Sequence, residues 1–97
     1  MKRVEFIAEA REEFLAEVSF YEAAQKGLGA KFSSAVEKAT ALAVAFPNVG
    51  SPAAEGTRRV VVKGFPFLIV YKRSATGILV FAVAHQSRRP NYWRSRA

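Results

Sequence analysis

The stretch RRVVVKGFPFLIVYKRSATGILVFAVAH, residues 58 to 85, decides the fold class. It contains three short apolar runs rich in β-branched and aromatic residues, which is the composition typical of β-strands. We predict strands at 58–62, 65–73 and 78–85. The sequence ATG, within the short connection at 74–77, is compatible with a tight hairpin. Strands that follow one another this closely pair antiparallel, so this half of the chain predicts an antiparallel meander.

One more strand and two helices are predicted upstream of the meander. The alternating residues 3–7 indicate a short strand, and a second, clearly periodic helix begins near Leu28 and ends at Pro47. The apolar residues at helical spacing in the first helix are Phe14, Val18 and Tyr21, with Leu15 widening that face. Because the link between the helices is short, they form an antiparallel hairpin. The order β-α-α-β-β-β predicts an α+β fold, with the N-terminal strand and helical hairpin packed on an antiparallel sheet and a short C-terminal tail.

Length and composition narrow the class of protein. With 97 residues, 51% of them hydrophobic, the chain predicts a single domain spanning 1–97. It has no cysteine, no apolar run long enough to cross a bilayer, and no apolar segment after its charged N-terminus. We therefore expect a cytoplasmic protein with no disulfide, no signal peptide and no membrane partner. One histidine and no cysteine favour no metal site, and the GLG sequence lacks the Lys-Ser/Thr of a phosphate-binding loop. No cofactor is expected.

The charge of the chain is strongly segregated. All eight acidic residues lie within 1–55, whereas 56–97 carries nine Lys/Arg and no acid, within an overall net charge of +7. Such an asymmetry favours a polyanionic partner, either nucleic acid or an acidic protein segment. The alternative is charge that serves solubility alone, although a solvated surface normally mixes both signs.

The tail after the last strand mixes cations with aromatic rings. No carboxylate follows His85 in the sequence. The cations and aromatic rings after it are Arg88, Arg89, Tyr92, Trp93, Arg94 and Arg96. A histidine beside arginines suits acid/base cleavage of RNA, but a histidine at a strand end also serves simply to pack a tail. The rings suit base stacking, or a hydrophobic clamp on the sheet, and packing is favoured for Trp93.

Alternation along the strands predicts which residues share a face. Arg59 and Lys63 take the face opposite Val60 and Val62. The residues predicted to share the face of His85 are Leu79, Phe81 and Val83. Arg59, Lys63 and the tail are therefore expected to form one basic patch.

Several motifs are similar to those of a known family. They are a Glu-rich helix ending in FYE, the sequence GLG, a second helix ending at FP, and the segments RRVVVKGFPFLIVYKR and AVAHQSRRPNYW. The most specific part is FPFLIVY followed by an apolar strand that ends in AVAH. Over nearly its whole length the chain resembles the RelE/ParE toxin superfamily. The resemblance implies a type II toxin of the plasmid-stabilisation kind, held in a hetero-oligomeric complex by a cognate antitoxin with an acidic, partly disordered segment.

The superfamily contains two mechanisms. RelE-like members cut mRNA on the ribosome with several basic residues, whereas ParE-like members poison DNA gyrase and lack that catalytic set. Against RelE-like sequences, Leu68 stands where the interferase has an arginine, and Arg59 and Val61 stand where it has two lysines. Arg88 matches the basic residue after the last strand, and Tyr92 falls near, but not at, the position of the interferase tyrosine. The resemblance therefore implies that only part of the cleavage set is present.

Two functions follow, and the sequence favours the first. The first is a ParE-like gyrase poison that is not an enzyme. Its residues expected to bind the target or the antitoxin are Arg58, Arg59, Lys63, Arg73, Arg88, Arg89, Tyr92 and Arg94. The second is a ribosome-dependent mRNA endoribonuclease with His85 and Arg88 as catalytic residues. In it His85 is the acid/base, and the phosphate binders are Arg59, Arg88 and Arg89.

Overall fold

The structure is a computed structural model that describes residues 2–97. Its elements are β1 (Arg3–Phe6), α1 (Ala8–Ala24), α2 (Leu28–Ala45), β2 (Ser51–Pro52), β3 (Arg58–Val62), β4 (Phe67–Ser74) and β5 (Gly77–His85). The strands form one sheet in the order β1-β5-β4-β3-β2. The two helices pack on one face of this sheet, so the predicted α+β fold is confirmed. Neither helix among the described residues is long and apolar enough to cross a membrane.

The sheet differs from the predicted one in two respects. β1 pairs with β5 in parallel, with Arg3 opposite Gly77, so the sheet is mixed. The loop after α2 contributes the short strand β2, which pairs with the start of β3. Both differences concern which strand lies beside which, and alternation of apolar residues specifies a strand's face but not its neighbour.

The main core lies between the helices and the sheet and is dominated by aromatic rings. Phe32 of α2 is fully buried, and its ring centroid lies 5.2 Å from those of Tyr21 and Phe67 and 5.1 Å from that of Phe65. Edge-on and tilted rings at this spacing interact favourably beyond the area they bury. The apolar periodicity of the helices extends further than the core does. Three large apolar residues of the predicted helical faces are exposed instead of buried: Leu15, Leu42 and Phe46.

A β-bulge in β5 changes which of its residues face the helices. Tyr71 of β4 pairs with Val80 and the preceding residue pairs with Ala82, which leaves Phe81 without a partner in β4. One extra residue reverses the alternation beyond it. Val83 therefore joins the helix-side core, as Val80 does. The prediction that Leu79, Phe81 and Val83 share one face is wrong for this reason.

Candidate functional site

The tail, residues 86–97, lies against the face of the sheet that is turned away from the helices. Trp93 anchors it there and is only 4% exposed. Its indole packs against Val70 of β4 and against Ala82 and Ala84 of β5, whose small side chains leave room for the ring. The prediction that Trp93 packs is confirmed.

A cavity of about 120 Å³ lies between the tail and the sheet. We call it the tail pocket. Its charged or titratable lining comes from three elements, with Arg59 on β3, His85 at the end of β5, and Arg88, Arg89 and Tyr92 on the tail. None of its lining residues is acidic. The structure therefore brings together five residues that the sequence predicted to be catalytic or binding residues, in a setting suited to an anionic group.

Glu13 of α1 connects the tail to the last strand. One carboxylate oxygen, Oε1, accepts hydrogen bonds from the backbone N–H of Val83 at 3.1 Å and from the Arg96 guanidinium at 3.0 Å. The other, Oε2, accepts the Tyr92 hydroxyl at 2.6 Å. Arg96 also donates to the carbonyl oxygen of Phe81 at 3.2 Å. Because the Glu13 side chain is only 18% exposed, these are better shielded contacts than those of a surface ion pair.

Tyr92 extends this network into the tail pocket. Burial, followed by the hydrogen bond to the Glu13 carboxylate, raises the pKa of Tyr92 above its ordinary value of 10.0, so the phenol keeps its proton. The Arg88 guanidinium lies 4.0 Å from the centroid of the phenol ring, and that of Arg96 lies 5.1 Å away. The ring is thus a platform for Arg88, by cation–π attraction.

His85 has one ring nitrogen occupied by its own chain. The backbone N–H of Ser87 lies 3.0 Å from Nδ1, and the Ser87 hydroxyl lies 2.6 Å from the same atom. A backbone N–H can only donate, so Nδ1 accepts and the neutral ring carries its proton on Nε2. The ring also packs edge-on against Phe67, at 5.0 Å between centroids. A general base needs a free lone pair to take up a proton. The lone pair of the neutral ring is on Nδ1, and it already accepts the hydrogen bond from the Ser87 N–H.

Two of the arginines expected to bind a partner are engaged within the chain. Arg58 donates to the carbonyl oxygens of Gly50 at 2.7 Å and Asn48 at 3.3 Å, and so holds the loop after α2. Arg94 forms an exposed ion pair with Glu55, with 2.7 Å between Nε and Oε1. Exposed pairs contribute little to stability, so Arg94 is restrained more weakly than Arg58.

The expected single basic patch is divided. Lys63 does not line the tail pocket but a separate groove of about 470 Å³ between α2 and β3, which we call the α2–β3 groove. Its residues are Lys31, Ser34, Ala35, Lys38, Ala39, Leu42, Val61, Lys63 and Phe65, with no acid among them. Arg73 lies elsewhere again, beside Pro47 after the end of α2. β3 lies near the edge of the sheet, with only the two-residue β2 beyond it. A twisted strand turns its two ends towards different surroundings, which separates Arg59 at one end from Lys63 just past the other.

Glu13 is the important residue that the sequence analysis missed. From the sequence alone, the glutamates of the first helix read as a solvated face. Glu13, however, comes three residues after the buried Ala10 and one before the core residue Phe14, which places it beside the buried stripe. That spacing was the available signal, because a carboxylate beside an apolar stripe needs donors.

Comparisons with known proteins agree with the fold. A family model described as the ParE toxin of the type II toxin–antitoxin system, parDE, matches residues 4–90. Among solved structures, a chain of the chromosomal ParDE toxin–antitoxin system from P. aeruginosa superposes with a TM-score of 0.74 at 16% sequence identity. The match covers 88% of this chain and 96% of that one, and at such low identity it speaks for the fold alone. Among curated proteins, none matches the sequence significantly.

Proposed function

Because the chain belongs to the ParE toxin family of type II toxin–antitoxin systems, we propose that it arrests growth by poisoning DNA gyrase and that a cognate antitoxin neutralises it. The tail pocket is the proposed contact with the gyrase–DNA complex. It gathers Arg59, Arg88 and Arg89 with no acidic neighbour in its lining. A surface of this kind is attracted to the phosphates of DNA and to acidic protein surfaces alike.

Two residues of the tail pocket, His85 and Leu68, favour binding over cleavage. Nδ1 of His85 already accepts a hydrogen bond from the backbone N–H of Ser87. Leu68, which also lines the pocket, has no charge with which to stabilise a developing phosphorane. The pocket thus offers cations that bind an anion, but no unoccupied base that would activate a nucleophile. This supports a binding role.

The decisive experiment uses purified protein, DNA gyrase, supercoiled plasmid and ATP, and scores linear DNA that is trapped on the enzyme. We expect linear product that increases with toxin concentration and disappears when the antitoxin is added. Protein that arrests growth in cells but yields no trapped DNA would contradict the proposal.

Substitutions in the tail pocket locate the contact. Arg88→Ala should weaken trapping markedly, because it removes a cation of the pocket, whereas His85→Gln should change it little. Arg11→Ala is the matched control, since Arg11 is an exposed arginine on α1 that does not line the pocket. A folded His85→Gln variant that has lost all toxicity would argue against a binding poison.

One observation favours a second candidate, an mRNA interferase. The tail pocket places His85 with Arg59, Arg88 and Arg89, and a histidine beside phosphate-binding cations suits acid/base cleavage of RNA. This candidate predicts ribosome-associated cuts in transcripts and their loss in His85→Gln. Intact transcripts during growth arrest would exclude it.

The α2–β3 groove is the proposed site for the antitoxin. Its charged residues are the three lysines Lys31, Lys38 and Lys63, and its floor is apolar, with Val61 60% exposed. An acidic, amphipathic segment that orders on binding fits both properties. We propose that such a segment lies along the helical hairpin and the edge of β3.

Charge reversal tests this location. Lys38→Glu and Lys63→Glu should each weaken antitoxin binding, and the wild-type affinity should fall steeply with added salt because the attraction is screened. Lys2→Glu makes the same change of charge at an exposed residue outside the groove and is the control. Equal effects of all three substitutions would indicate attraction to the net charge rather than to the groove.

A further inference from the structure

We infer that Glu13 is a positioning residue for the tail pocket, because it holds Arg88 in place through Tyr92. The inference rests on the proposed function of that pocket as a binding surface. Glu13 itself does not line the pocket, so its contribution to binding is indirect.

Glu13 is fixed because it takes part in the edge of the sheet. β1 pairs with β5 only as far as Val80, and beyond that point β5 has no strand on this side. The Glu13 carboxylate accepts the N–H of Val83, and Arg96 donates to the carbonyl oxygen of Phe81. Together the two side chains satisfy backbone groups that a neighbouring strand would otherwise satisfy. The carboxylate is thereby held by the main chain of the last strand.

The second oxygen of Glu13 transmits this order to the tail. It accepts the Tyr92 hydroxyl at 2.6 Å, a short charge-assisted bond that fixes the phenol ring. Arg88 stacks on that ring, with its guanidinium carbon 4.0 Å from the centroid, and Arg88 lines the tail pocket. Without Glu13 the ring loses its anchor, and Arg88 must be ordered when the partner binds, which weakens binding.

Charge and position make opposite predictions for Glu13. The chain carries a net charge of +7. Removing any carboxylate from it raises that charge and should strengthen the attraction of a polyanion. If Glu13 positions Arg88, its removal should instead weaken binding. Another acidic residue on the same helix should show the charge effect alone.

The experiment compares Glu13→Ala with Glu12→Ala, in which an exposed carboxylate one residue earlier is removed. In free protein, NMR reports the ring-current shift that the Tyr92 ring imposes on the side-chain protons of Arg88. We expect Glu13→Ala to abolish this shift and Glu12→Ala to retain it. In the gyrase assay, Glu13→Ala should lose roughly tenfold in potency, the size of one charge-assisted hydrogen bond, whereas Glu12→Ala should match or exceed wild type.

Two further variants make the outcome decisive. If Glu13 acts through Arg88, adding Glu13→Ala to an Arg88→Ala background should cost nothing more. If Glu13→Ala does not fold, Tyr92→Phe replaces it, since this change keeps the ring and removes only its link to Glu13. An unchanged Arg88 shift, or equal potency of the Glu13 and Glu12 variants, overturns the inference. A lost shift in a protein whose wild type traps no gyrase overturns the proposed function and leaves the positioning role standing.

Discussion

The hydroxyl of Tyr71 offers a direct test of how the loop after α2 is held. Tyr71 is fully buried in β4, and its hydroxyl donates to the carbonyl oxygen of Pro47 at 2.9 Å and accepts the backbone N–H of Gly50 at 3.0 Å. The substitution Tyr71→Phe removes one oxygen atom and leaves the ring in place. Any loss of stability therefore reports these two hydrogen bonds rather than packing.

The size of the loss follows from what each bond leaves behind. A typical intramolecular hydrogen bond contributes about 1 kcal/mol net, and a buried donor left without a partner costs about 1–3 kcal/mol. Gly50 is buried, so its N–H becomes such a donor. We expect the free energy of unfolding to fall by about 2–3 kcal/mol. For a domain of this size that corresponds to a decrease in Tm of roughly 10–20 °C.

The assay is urea unfolding followed by the fluorescence of Trp93, the only tryptophan in the chain. Tyr21→Phe is the matched control. Burial and the nearby Glu17 charge raise the pKa of Tyr21, and no hydrogen bond to its hydroxyl is found among residues 2–97. We expect the control to lose less than about 0.5 kcal/mol. Equal losses for the two variants, or a loss below about 0.5 kcal/mol for Tyr71→Phe, would refute the reasoning.

Three other predictions follow from the geometry. In urea unfolding, Gly77→Ala should lower the free energy of unfolding by more than about 3 kcal/mol, because the new Cβ would overlap the carbonyl oxygen of Arg3. Gly64→Ala is the control, since Gly64 also has a positive φ, +86°, but open space around it, and should lose about 1 kcal/mol. Similar losses for the two variants would contradict the prediction. Trp93→Ala should lower the free energy of unfolding by about 3–5 kcal/mol, measured by thermal denaturation, and a loss below 1 kcal/mol would mean that the indole does not anchor the tail. The pKa of Tyr92 is higher in the folded state than its ordinary value of 10.0, so the stability that its protonated hydroxyl contributes is complete below pH 10.0 and is lost as the pH rises through the folded-state pKa. Plots of unfolding free energy against pH for wild type and Tyr92→Phe should therefore converge above pH 10.0. Parallel plots would refute the prediction.

Local pattern predicted the elements of the fold, but not every spatial relation among them. The strand at 58–62 was predicted with its observed bounds, since β-branched residues and alternation both mark it. The parallel neighbour of β1 was not predicted, because no local pattern encodes it. The bulge at Phe81 was missed for a different reason. The residues around it are all apolar, so the reversal of alternation leaves no trace in the sequence.

The sequence identified several residues of the candidate site but not the contacts that they make within the chain. Arg59 and Arg88 lie together in the tail pocket, as strand alternation predicted, whereas Lys63 does not. Arg58 was expected to bind a partner, but in this structure its guanidinium donates to the carbonyl oxygens of the loop after α2, which need donors. Glu13 contacts the N–H of Val83, 70 positions away, and a pairing at that distance cannot be derived from helical spacing alone.

The pairing of β1 with β5 also determines when, during synthesis, the sheet and the tail pocket can form. A ribosome synthesises β1 long before β5, and Glu13 long before Arg96, from which it is separated by 83 positions. The helical hairpin can form early from local contacts, but the sheet that covers it cannot close until β5 has emerged. The tail pocket requires β3, β5 and the tail together, so it is missing from the nascent chain during most of its synthesis. This surface is therefore completed only after β5 and the tail have been synthesised, later than the helical hairpin.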